Sequence, residues 1–138
     1  MLATDLEQYK RIQIETAPGP KLIVMLYDCA LRNLEKAREA MVNGKREQVT
    51  PALNKVHDAL GELSGSLNFD AGEIAGRLFE LYEYCGWRLV QANLKRDPNA
   101  LDAVREILAT LRSAWVECAK NGAGRKAAPA HGFQAVAE

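Results

Sequence analysis

Residues 101–118 read LDAVREILATLRSAWVEC. Within them Leu101, Val104, Leu108, Leu111, Trp115 and Cys118 recur at spacings of 3, 4, 3, 4 and 3, with polar residues between. That period places one apolar stripe along one side of an α-helix, which has to be buried against something else. Asp97-Pro98-Asn99 bounds the segment upstream, since proline and the residue before it both resist helix continuation, so this last helix is predicted over about 98–120. Upstream of that break a helix over about 72–95 carries Ile74, Leu78, Leu81, Cys85, Leu89 and Ala92 as its main seam. Ala75, Phe79, Tyr82, Gly86 and Val90 form a second seam beside it. Asp70 is its expected cap, and Glu73 suits the positive end of the helix dipole. Before it, Leu53, Val56, Leu60, Leu63 and Leu67 repeat at 3, 4, 3 and 4, predicting a helix over 46–69. Thr50-Pro51 also offers a later start near 50, as a cap and first-turn proline. The first long helix, about 18–43, opens at Pro18-Gly19-Pro20 and closes at Asn43-Gly44. Strand-like alternation is absent. Four long helices joined by short loops describe an all-α fold, an antiparallel up-down-up-down four-helix bundle.

One domain is expected over residues 1–120, with a short N-terminal arm over about 1–17. Residues 121–138 are Gly-, Ala- and Pro-rich, with Phe133 and Val136 as the only larger apolar residues. Such a segment cannot bury enough surface to offset its chain entropy and is predicted to be a disordered tail.

The chain of 138 residues is long enough for a core without disulfides or metal. Its 18 Lys+Arg balance 18 Asp+Glu with no basic stripe, which argues against nucleic acid. Cys29, Cys85 and Cys118 are odd in number, far apart and at apolar helical positions, as reduced cysteines are. With no basic and apolar leader at the N-terminus and no long uncharged apolar run, a cytoplasmic protein is expected.

Enzyme chemistry finds little footing. His57 is alone on its helix, with no Glu three residues before it, and His131 lies in the tail. Gly122-Ala123-Gly124-Arg125-Lys126 follows a helix and lacks the phosphate-loop pattern. No cysteine has a histidine at helical spacing. Tyr27, Tyr82, Tyr84, Trp87 and Trp115, at helical spacing, read as core or rim more readily than as a cofactor cage. No metal, cofactor or catalytic residue is expected.

The helices are not equivalent. The second and fourth have one seam each, whereas the first and third carry additional apolar residues. In the first, Leu22-Ile23-Val24-Met25-Leu26-Tyr27 is unbroken. Ile23, Leu26, Ala30, Leu34, Ala37 and Met41 suffice for its core seam, leaving Leu22, Met25 and Cys29 beside it and Val24 and Tyr27 further round. Either these complete a wide core or they form a surface that something else covers. The arm, with Leu6, Tyr9, Ile12 and Ile14, is too short to be a stable helix alone and is suited to cover that surface displaceably. Asn93, between Ala92 and Leu94, offers amide donors and acceptors to an incoming backbone or to its own helix end.

The run Tyr9 to Ala17, the run Lys21 to Ala30, Gly72-Glu73-Ile74-Ala75 with Leu81-Tyr82-Glu83-Tyr84, Ala92-Asn93, and Leu111-Arg112-Ser113-Ala114-Trp115 together resemble, in order and spacing, the flagellar secretion chaperone FliS family. The resemblance spans about residues 6–118. It implies a non-enzymatic cytosolic four-helix bundle that binds the disordered C-terminal region of flagellin, prevents premature polymerisation, and delivers the subunit to the membrane-embedded gate of the flagellar type III export apparatus. Contact with that machinery is expected to be peripheral, and the free protein to be a monomer or weak homodimer. The expected flagellin-binding residues are Tyr9, Ile14, Leu22, Met25, Tyr27, Phe79, Tyr82, Val90 and Asn93. The arm either competes with flagellin or clamps it once bound. Pro18-Gly19-Pro20 stands where the family has Ser-Pro, and Cys29 where it has glycine. The latter adds volume where helices approach closely. The rival reading is a homodimeric structural bundle using the same surface with no client.

Overall fold

Glycine, proline and small polar residues punctuate the chain where the helices end, and the computed structural model describes residues 19–122 on that plan. Helix α1 runs Gly19–Val42, α2 Arg46–Gly65, α3 Glu73–Lys95 and α4 Ala100–Gly122, with a single 3-10 turn, Phe69–Ala71, before α3. The expected arm over 1–17 and most of the tail over 121–138 lie outside the described residues.

Gly44 ends α1 in the left-handed region at φ 72°. Its N–H donates to the Met41 carbonyl and that of Lys45 to Ala40, so the last carbonyls of α1 are satisfied within a three-residue turn. Helix α2 begins at Arg46 and not near 50, which leaves Pro51 inside it. It also ends four residues earlier than the 69 expected from its leucine repeat. At Ser66 the hydroxyl donates to the Leu63 carbonyl and the N–H to that of Glu62, closing the helix. Leu67 still packs on the core, from the turn. Asp70 is not the cap of α3. Its own N–H is received by the Asn68 side chain, and Gly72, at φ 112°, stands at the helix start. Arg96 ends α3 in the left-handed conformation, its guanidinium donating to the Asn93 carbonyl and, across the bundle end, to the Arg46 carbonyl. This fastens the end of α3 to the start of α2.

The helices form a ring in which α1 neighbours α2, α2 neighbours α3, α3 neighbours α4, and α4 neighbours α1, giving the antiparallel up-down-up-down bundle. The closest approach is between α1 and α2, where Ala30, Ala37, Ala40, Ala52 and Ala59 are buried and small side chains let the backbones draw together. Helix α3 stands further from both neighbours, propped by Leu78, Tyr82 and Leu89. The clean seam of α4 is buried as its spacing predicts, with Leu111 half-buried at its edge. Arg112 pairs with Asp28, and Arg38 with Asp102 at 3.2 Å, both between α1 and α4. Cys29 is half-buried against the core, and Cys85 and Cys118 are buried, which pushes the pKa of both thiols upward, that of Cys85 to about 11.

Candidate functional site

The core of α3 is Ala75, Leu78, Tyr82, Cys85, Leu89 and Ala92. With these facing inward, Phe79, Trp87, Val90 and Leu94 share an outward arc of about 80°, at 100° per residue, and all four are exposed, Trp87 by 56% and Leu94 by 75%. Phe69, from the 3-10 turn, extends the arc by meeting Phe79 edge to face at 6.0 Å. An apolar stripe of this length along a helix face is a candidate interaction surface. One flank is α2: a methyl at Gly86 would meet the His57 ring at 3.9 Å, and the Asn93 side chain donates to Thr50 Oγ1 at 3.4 Å. Burial lowers the pKa of His57, against the attraction of Asp58, so the flank is neutral near pH 7. The other flank holds Tyr84, packed on Trp87 at 6.3 Å and under the Arg88 guanidinium at 5.9 Å.

Two polar atoms on these flanks, Asn93 Oδ1 and Arg88 Nε, are buried with no hydrogen-bond partner among the described residues. One is an acceptor and the other a donor, so a segment laid between them finds both halves of a main-chain hydrogen-bonding pair. Exposed charge along α3 is mixed in its first half, with Glu73, Arg77, Glu80 and Glu83, and basic at its end, with Lys95 and Arg96.

Of the sequence-derived residues, Phe79 and Val90 lie on the stripe and half-buried Asn93 at its edge. Leu22 and Met25 are half-buried on α1. Tyr9 and Ile14 lie outside the described residues. Tyr27 and Tyr82 require correction: they are 0% and 3% exposed, not on an outer surface. Their hydroxyls hydrogen-bond at 2.6 Å across the ring, from α1 to α3. A hydroxyl at helical spacing suggests an outward position, but here a partner from a distant helix satisfies it. The core seam of α3 accordingly uses Ala75 and Tyr82, while Ile74 and Leu81 are half-buried. On α1, Ala40 is buried and Met41 half-buried, and Asn33 joins the core.

Trp87, Leu94 and Phe69 were missed as site residues. The spacing of Phe79, Trp87, Val90 and Leu94, 8, 3 and 4, carried the signal for the first two. Among the described residues no group of three His, Cys, Asp or Glu side chains is placed to hold a metal ion, and no helix is long and apolar enough to cross a membrane.

Comparison with known proteins agrees with the bundle. The family profile described as Flagellar protein FliS matches residues 2–122. The flagellar secretion chaperone FliS of Vibrio cholerae is 34% identical over 115 residues, covering 80% of this chain and 85% of its own. FliSB of Pseudomonas aeruginosa is 36% identical over 118 residues, 80% of this chain and 91% of its own. FliS of Salmonella typhimurium is 35% identical over 121 residues, 82% and 88% respectively. With a profile spanning nearly the whole chain and relatives of this identity, the protein belongs to the FliS family of flagellar secretion chaperones.

Proposed function

We propose that this protein is a cytoplasmic, non-enzymatic export chaperone whose client is the disordered C-terminal region of flagellin. It keeps that region from polymerising prematurely and delivers it to the gate of the flagellar type III apparatus. The observation that carries this reading is the exposed stripe of α3, Phe69, Phe79, Trp87, Val90 and Leu94, bordered by the unpartnered Asn93 Oδ1 and Arg88 Nε. A client helix that lays its apolar face on the stripe gains burial on both sides. A frayed end offers free main-chain groups to the two unpartnered atoms. Leu22 and Met25 on α1 are proposed as secondary contacts, and Tyr9 and Ile14 of the arm as a segment that competes with the client or clamps it.

Calorimetric titration with a peptide of the flagellin C-terminal region should give one-to-one binding with a negative heat-capacity change from apolar burial. Trp87→Asp and Val90→Asp should abolish it while leaving the melting temperature nearly unchanged. Absence of binding by the unaltered protein, together with a stable dimer in light scattering, would replace this reading with a structural homodimer. Deleting residues 1–14 separates the two roles of the arm: tighter binding supports competition, weaker binding a clamp.

A further inference from the structure

On the outer side of α1 and α2, away from the α3 stripe, the two helices enclose an open groove of about 370 Å³, at the small end of the range for ligand clefts. It runs from Asn33 and Lys55 up to Lys45 and Glu47 at the α1–α2 turn, roughly 15 Å at the helical rise. Ala40, Pro51 and Ala52 also line it, small or compact residues that leave main chain within reach.

Three features here are unused by the fold. Asn33 is 3% exposed, the only buried polar residue among those described. Its Nδ2 donates to the Cys29 carbonyl at 2.8 Å, which fixes the amide orientation, and leaves Oδ1 buried with no partner among the described residues. An apolar side chain would fill this place without an orphaned acceptor. Helix α2 starts without a side-chain cap at Lys45, so its first N–H groups, with the positive end of the helix dipole, face the turn end of the groove. Lys36, Lys45 and Lys55 line the groove and form no ion pair among the described residues, against two acidic residues, Glu39 and Glu47.

We propose that this groove is a second binding site, for a short, extended acidic peptide segment. A main-chain N–H of the peptide donates to Asn33 Oδ1, and its carboxylates are held by Lys36, Lys45, Lys55 and the N-terminus of α2. Phosphate is a poorer fit because it supplies no N–H to Asn33 and its concentrated charge meets Glu39 and Glu47. Single carboxylates spaced along a chain can lie beside the lysines and avoid both.

The test uses the full chain, isotopically labelled and followed by amide chemical shifts at low salt. It is titrated with an acetylated, amidated Glu-Ala-Glu-Ala-Glu peptide, the matching Gln peptide, sodium acetate and sodium phosphate. The acidic peptide should produce saturable shifts within residues 33–55, with the Gln peptide at least fivefold weaker. Asn33→Leu should reduce affinity at least tenfold while keeping or raising the melting temperature, because the orphaned acceptor is gone. The Lys36→Gln/Lys55→Gln variant, changed only at the surface, should weaken binding and flatten its salt dependence. The proposal is overturned if the acidic peptide gives no saturable shift at millimolar concentration, if the Gln peptide or either simple anion matches it, or if the double lysine variant binds unchanged. It is equally overturned if Asn33→Leu lowers the melting temperature markedly, since Asn33 would then serve the fold.

Discussion

Both hydroxyls of the Tyr27–Tyr82 pair are buried, so each depends on the other. Tyr27→Phe leaves the Tyr82 hydroxyl buried without its partner and is expected to cost about 1–3 kcal/mol, measured by urea unfolding followed by circular dichroism. Tyr27→Phe/Tyr82→Phe should be more stable than the sum of the single changes, because neither hydroxyl is then left buried without its partner. Strict additivity would mean that the hydroxyls act independently. Burial pushes Tyr82 up to about 12 from 10.0, and Tyr27 in the same direction with Tyr82 as the second cause. Both therefore stay neutral in the fold while the unfolded chain ionises. Their contribution is complete below pH 10 and falls as pH rises from there to 12, by about 1.4 kcal/mol per unit for each tyrosine. Alkaline unfolding should consequently be shallower in the double Phe variant. The same pair marks a limit of sequence reading. Leu81 and Tyr82 are adjacent and both apolar enough for a core, and nothing local tells that a hydroxyl 55 residues away makes Tyr82 the inward one. Asn33 was hidden for a similar reason, since amides are ordinarily exposed.

At the scale of the helix, α2 and α3 make opposite uses of their surfaces. In α2, Leu60 is buried, so Leu60→Ala, like Leu108→Ala in α4, should cost roughly 2–5 kcal/mol. Trp87→Ala, on the exposed stripe of α3, should stay within about 0.5 kcal/mol by the same unfolding measurement, and a core-sized loss would show that the stripe is covered in the free protein. Pro51 is the sixth residue of α2 and cannot return an N–H to the Glu47 carbonyl. Pro51→Ala should therefore raise stability by about 1 kcal/mol. The element boundaries show where spacing succeeds and fails. Continuous repeats bounded by Gly44, Pro98 and Gly72 located all four helices to within a few residues. Leu67 extended the α2 repeat in sequence, but the weak helix formers Gly65 and Ser66 ended the helix before it, and the same side chain reaches the core from a turn.

Across the whole bundle, stability should not be uniform. The alanine-lined α1–α2 pair is the tightest contact in the ring, whereas α3 is held off by larger side chains and has no direct backbone packing against α1, its diagonal partner. What joins that diagonal at its centre is the tyrosine pair. The ring itself was legible, because four amphipathic helices with short loops allow few other arrangements. The unequal spacing was not, since it follows from which small residues face one another. If α3 is the least firmly held helix, native-state hydrogen exchange should show its core amides, such as Leu78 and Leu89, opening at lower free energy than those of Leu34 in α1 and Val56 in α2. Tyr27→Phe should lower protection in α3 more than in α1 or α2. A ligand on the α3 stripe should raise α3 protection first, whereas an acidic peptide in the α1–α2 groove should leave it unchanged. Equal protection in all four helices would mean that the bundle opens as one unit, and that the wider spacing around α3 has no bearing on how the stripe is presented.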